Sequence, residues 1–139
     1  MRPHLLFRGA LLAAAVIGVP ATAFAQHVTI GAIEFRMSCA VCHGKDARGD
    51  GPLAHVLTVK PTDLTNLSKR NKGQFPSEAV VETIDGRTQI SAHGTREMPV
   101  WGTRYEAEVG RQYGPYGSET VVKTRILELV HYLQSIQEK

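Results

Sequence analysis

The sequence predicts an all-α fold in which a few helices are joined by long loops. Three observations carry that expectation. Residues 119–137 place Val122, Ile126, Leu129, Val130, Leu133 and Ile136 on one stripe at helical spacing, with Ser118 in position to cap the helix. Residues 31–41, GAIEFRMSCAV, bring Gly31, Phe35 and Cys39 to one face at i, i+4 and i+8. No segment alternates polar and apolar residues as a half-buried strand would.

Taken in order, residues 1–25 have the pattern of a secretory signal peptide. Arg2 and Arg8 form a positive start without acidic residues, residues 9–19 (GALLAAAVIGV) are apolar, and Ala23-Phe24-Ala25 is a small-x-small cleavage site after Pro20. The apolar run is far short of the roughly 20 residues that span a membrane. Cleavage after Ala25 is therefore expected, leaving one domain, 26–139, in the periplasm, with no stable membrane insertion. The 16 basic and 13 acidic residues of the whole chain come close to balance once Arg2 and Arg8 are removed. No cluster of Lys and Arg suggests a nucleic-acid surface.

After the helix at 31–41, the glycine- and proline-rich stretch 44–62 reads as loop, with a helical turn or two within 52–59. Residues 66–76 also read as loop. Ser77 and Glu78 start a helix that runs to Ile84 or Asp85, and Gly86 stops it. Residues 87–102 form an ordered loop, and Gly110, Gly114, Pro115 and Gly117 mark a second one. The helices cover about a third of residues 26–139, and each ordered loop residue costs roughly 1–2 kcal/mol of backbone entropy. A large apolar prosthetic group would give such loops something to bury against.

Cys39-Ala40-Val41-Cys42-His43 supplies one. Two cysteines in an exported chain usually pair as a disulfide, but this spacing followed by histidine is the c-type haem attachment motif. Cys39 and Cys42 would bind the two vinyl groups as thioethers, and His43 would be the proximal iron ligand. A zinc site normally takes four protein ligands, and the chain has no further cysteine. A thioredoxin-like redox pair would sit in a βαβ context, which is missing from the sequence.

The second axial ligand is expected to be Met98. Pro99 stiffens the chain there and biases Met98 toward an extended backbone, and His/Met ligation is the usual arrangement in cytochromes c. His93, five residues earlier, is the rival, and a gap-filling core methionine is the plain alternative. Met37 lies too close to Cys39 in sequence to reach the opposite side of a haem.

These residues resemble the class I cytochrome c family over almost all of 31–137. Gly31, Phe35 and Cys39 are similar to its N-terminal helix, and Leu129-Val130-His131-Tyr132-Leu133 to its C-terminal helix. The resemblance implies that these two helices cross, with long loops wrapped around one haem. Gly51-Pro52 resembles a family Gly-Pro whose proline carbonyl would accept the His43 Nδ1–H. Met98-Pro99-x-Trp101-Gly102 resembles the methionine loop, with Trp101 near the propionate edge. Pro61-Thr62-Asp63-Leu64-Thr65 also looks familiar, without an assigned role. The chain departs from the compact pattern over 103–117, where Tyr105, Tyr113 and Tyr116 alternate with glycines. That stretch is expected to be a solvated connector or the border of a docking face.

With both axial positions filled by His43 and Met98, the expectation is a periplasmic single-electron carrier with one covalent haem c, and not an enzyme. Its partners would be redox proteins: a donor dehydrogenase or reductase and an acceptor oxidase. The alternatives are a small cytochrome c subunit of a periplasmic dehydrogenase or oxidase, or a haem-based ligand-sensing protein in which Met98 is displaced.

Overall fold

The computed structural model describes residues 21–87 and 98–138, with side chains from residue 29 onward. Its elements are α1 (Ala21–Ser38), α2 (Ala40–His43), 3-10 turns at Ala54–Val56 and Leu64–Asn66, α3 (Leu67–Arg70), α4 (Ser77–Asp85) and α5 (Trp101–Ser135). No strand occurs among the described residues, so the all-α expectation holds. Nor is any described helix long and apolar enough to cross a membrane.

Helix α1 begins ten positions before the expected start at Gly31. Ala21, Ala23 and Ala25 are strong helix formers, and nothing between Pro20 and Gly31 breaks a helix. The cleavage expected after Ala25 falls within this helix. Helix α4 matches its expected range, with Gly86 in the left-handed conformation at its C-terminus. Pro76, and not Ser77, occupies its N-cap.

The largest correction lies at 103–117. This stretch is helical, and α5 starts at Trp101 rather than after Ser118. Gly114 is the one residue with non-helical angles (φ 66°, ψ 178°), and Pro115 follows it. The Arg125 guanidinium lies 3.9 Å from the centre of the Tyr105 ring and 2.6 Å from Glu108. Twenty residues of unbroken helix would separate those positions by about 30 Å. The helix therefore folds back at Gly114 into two limbs, 101–113 and 115–135. Proline is well placed at the first position of the second limb, where no N–H partner is needed. Ser118 lies one turn into that limb and does not cap it. It is buried, and its hydroxyl donates to the Gly114 carbonyl.

Helix α1 crosses the second limb at Gly31, where an added Cβ would collide with the Glu128 carbonyl oxygen and lie 2.8 Å from the Tyr132 Cβ. Phe35 meets Tyr132 at 5.3 Å between ring centres, and Phe35 and Leu129 are fully buried. Val80 and Ile84 from α4, and Trp101 and Tyr105 from the first limb, complete the core with Val122, Ile126 and Leu133.

A polar network ties α1 to both limbs. The Glu34 carboxylate accepts from Ser38 Oγ (2.7 Å), Tyr105 Oη (2.9 Å) and Arg125 Nη2 (2.9 Å). Arg125 also pairs with Glu108. Burial pushes the Glu34 carboxyl up, but the three donors outweigh it and hold it below its ordinary 4.5. A carboxylate with a depressed folded pKa contributes stability above the unfolded value, and that stability is lost as pH falls through the folded one. Arg125→Met is expected to destabilise the fold by about 2 kcal/mol near pH 7, below the usual cost of breaking a buried pair because Arg125 is partly exposed. The deficit should shrink as pH falls below about 4.5, where Glu34 protonates. Urea melts from pH 3 to 8 check this, and an equal deficit at every pH would rule out the ion pair as its source.

Candidate functional site

Cys39 is the joint between α1 and α2 (φ −109°, ψ −36°). The helical bonding runs almost through it, since Cys39 N–H donates to Phe35 O and His43 N–H to Cys39 O, both at 2.9 Å. Cys39 and Cys42 therefore share one edge of a helix at i, i+3. The next stretch folds back and occupies the carbonyls that end α2. Gly49 N–H donates to His43 O (2.8 Å), Gly51 N–H to Cys42 O (3.1 Å) and Leu53 N–H to Val41 O (2.9 Å). Carbonyls at a helix end need such partners, and here their pairing braces the turn that carries the three residues.

The thiols are not joined to each other. Burial pushes the Cys39 thiol up to about 12, with the charges of Glu34 and Cys42 adding to the effect. Reactive and redox cysteines have depressed pKa values and persist as thiolates. Cys39 stays protonated, which argues against a thioredoxin-like or nucleophilic role.

His43 is half-buried, and burial lowers its pKa against the opposing hydrogen bond to Thr62. Its Nδ1 lies 2.9 Å from the Thr62 carbonyl oxygen. That carbonyl can only accept, so Nδ1 carries the proton and the Nε2 lone pair is left as a donor atom. The expected partner, the Pro52 carbonyl, does not fill this role. Gly49, Gly51 and Leu53 donate their N–H groups to the α2 carbonyls, Pro52 is exposed, and the Nδ1–H goes to Thr62 instead. Thr62 comes within reach because Leu64 N–H donates to Ala47 O. The motif Pro61–Thr65 thereby gains a role. Asp63 accepts from Thr65 N and Oγ1 and from Asn66, which shapes the turn beside Thr62. An aspartate two residues before a threonine is a legible turn signal, but nothing in the sequence connects it to His43.

Met98 lies in a bend just before Val100, the N-cap of α5. Its side chain is half-buried against the core. The rival ligand His93 falls outside the described residues. Trp101 is buried, with the Arg104 guanidinium 4.8 Å from its ring centre and Tyr105 at 5.7 Å. Tyr105 is fully buried and cannot dock a partner, whereas Tyr113 and Tyr116 are exposed at the turn between the limbs.

Among the described residues no three His, Cys, Asp or Glu side chains converge on a point that could hold a metal ion. The donor set suits a prosthetic group that brings its own equatorial ligands. It has two thiols on one helix edge, an oriented imidazole beside them, and a thioether against the apolar core. No family model, curated protein or solved structure matches the chain.

Proposed function

We propose that this protein is an exported carrier of single electrons that binds one haem c covalently through Cys39 and Cys42, with His43 and Met98 as axial ligands. The observation that carries the reading is the orientation of His43: its Nδ1–H is tied to the Thr62 carbonyl, so Nε2 is presented on the turn that holds both cysteines. A haem bound there supplies an iron that gains or loses one electron without a change of ligands.

The chain's own residues account for the rest. Cys39 and Cys42 hold one edge of the ring. Thr62 fixes the imidazole and raises its basicity. Met98 offers a thioether, partly buried against the core, that favours ferrous iron. Val41 lies exposed between the cysteines, and exposed Leu53 is bonded to it. A redox protein could make the small, short-lived contact typical of electron transfer on such a rim.

Met98→Ala tests the ligand set. The variant should keep its haem, lose the ferric sulfur-to-iron charge-transfer band, fall in reduction potential, and bind cyanide or carbon monoxide at least about tenfold more tightly because no internal ligand competes. An unchanged band in Met98→Ala, or a parent protein that lacks the band, would move the sixth ligand elsewhere.

A further inference from the structure

Residues 85–87 and residues 100–102, just after Met98, meet at one place. Gly86 lies against Val100, where an added Cβ would sit 3.4 Å from the Val100 Cα. Gly102, in the first turn of α5, approaches even closer. A Cβ there would collide with Asp85 Oδ1 and lie 2.6 Å from Arg87 Nε and 2.8 Å from the Asp85 carbonyl oxygen. Residues 85–87 and 100–102 thus form a neck with backbone packed directly on side chain.

Arg87 lies against Gly102 in that neck and joins Asp85 to the second limb of α5. Its Nε and Nη2 donate to the two carboxylate oxygens of Asp85 at 2.6 and 2.9 Å. Its Nη1 and Nη2 reach the carboxylate of Glu119 on the second limb at 2.7 and 3.3 Å. Glu106, on the first limb, is 3.9 Å away. Both the Asp85 and the Arg87 side chains are less than a quarter exposed. A planar guanidinium held by two carboxylates in this way has little rotational freedom, and lysine could not reproduce the fork.

Resting on the ligand role given to Met98 above, we propose that Arg87 is a positioning residue for that ligand. By joining Asp85 to Glu119 and packing against Gly102, it fixes the backbone four residues from Met98 and keeps the thioether on the iron. A purely architectural Arg87 would lower the melting temperature and leave ligation alone at temperatures where the helices are intact. A positioning residue has a different signature: ligation weakens while the helices persist.

The test uses the haem-loaded protein and three variants: Arg87→Gln, Glu119→Gln and Arg87→Lys. The sulfur-to-iron band is followed against temperature beside the far-ultraviolet helix signal, and cyanide association is timed at 25 °C. In Arg87→Gln the band should fade well below the helix transition, and cyanide should enter about tenfold faster, as expected for loss of charge-assisted hydrogen bonds. Glu119→Gln, which keeps the Asp85 pair, should show a smaller change in the same direction, and Arg87→Lys should recover part of the loss. If Arg87→Gln does not fold, Glu119→Gln decides. Variants whose band and helices melt together, with cyanide rates within twofold of the parent, overturn the proposal. A parent protein that lacks the band overturns the Met98 assignment instead.

Discussion

Cys39→Ser combined with Cys42→Ser is expected to leave a chain that holds no haem and does not fold. Among the described residues the fully buried apolar set is short: Phe35, Ala47, Tyr105, Val122, Ile126 and Leu129 lead it. Long stretches such as 44–63 depend on few side chains for order. A covalently held ligand acts as a saturating one, and saturation at a thousandfold over Kd is already worth about 4 kcal/mol. That is a large share of the roughly 5–15 kcal/mol by which a domain of this size is stable. Haem staining after denaturing electrophoresis and the far-ultraviolet helix signal give the two readouts. A double variant that keeps its haem through acid–acetone extraction would refute thioether attachment and the proposed function with it.

The second large effect is expected at Gly31 and is independent of haem chemistry. An alanine methyl there would meet the Glu128 carbonyl oxygen head-on, with the carbonyl carbon at 2.7 Å and the Tyr132 Cβ at 2.8 Å. Two of those atoms are backbone, so no side chain can rotate away, and α1 must lift off the second limb. Overpacking commonly costs about 1–3 kcal/mol, and a backbone clash at the main helix crossing belongs at the upper end. For a domain near 100 residues, about 3 kcal/mol lowers Tm by roughly 12–24 °C. Phe35 and Tyr132 would separate as well, taking the Cys39 turn with them. Thermal melts of Gly31→Ala read the effect, and a shift under about 4 °C would show that the helices do not cross at this point.

Several features were legible in the sequence because they are local. The stripe from Val122 to Leu133 recurs at helical spacing, and the structure buries those positions. Ser77 to Asp85 with Gly86 behind it is a helix with its stop in view. The crossing of the two helices was not local; the resemblance of Gly31, Phe35 and residues 129–133 to a family pattern implied it, and the structure contains it. The Cys39–Cys42–His43 spacing suggests its chemistry from five residues alone, and that reading is the basis of the proposed function.

The misreading at 103–117 shows where local rules stop. Gly110, Gly114 and Gly117 with Pro115 look like loop when each is weighed by helix propensity. Only Gly114 breaks the helix. Gly110 faces Ser118 across the two limbs, 3.8 Å from a would-be Cβ to the hydroxyl oxygen, and a Cβ on Gly117 would fall 2.9 Å from that of Tyr113 at the turn. These glycines serve close packing of the hairpin. Their tertiary contacts outweigh an intrinsic penalty of about 1 kcal/mol each.

The partners of the polar groups were decided by the fold in the same way. Glu34 meets Tyr105 and Arg125, His43 meets Thr62, and Arg87 meets Glu119, across separations of 19 to 91 residues. A charged or polar side chain leaves a periodic trace in sequence only when its partner lies within a turn or two. At longer range the partner depends on which backbone segments the core packing brings together. The proposed haem attachment therefore rests on the spacing of five residues. The proton on His43 Nδ1 depends on the Ala47–Leu64 contact that brings Thr62 into reach, and the neck beside Met98 on the packing of Gly86 on Val100 and of Gly102 on Asp85 and Arg87.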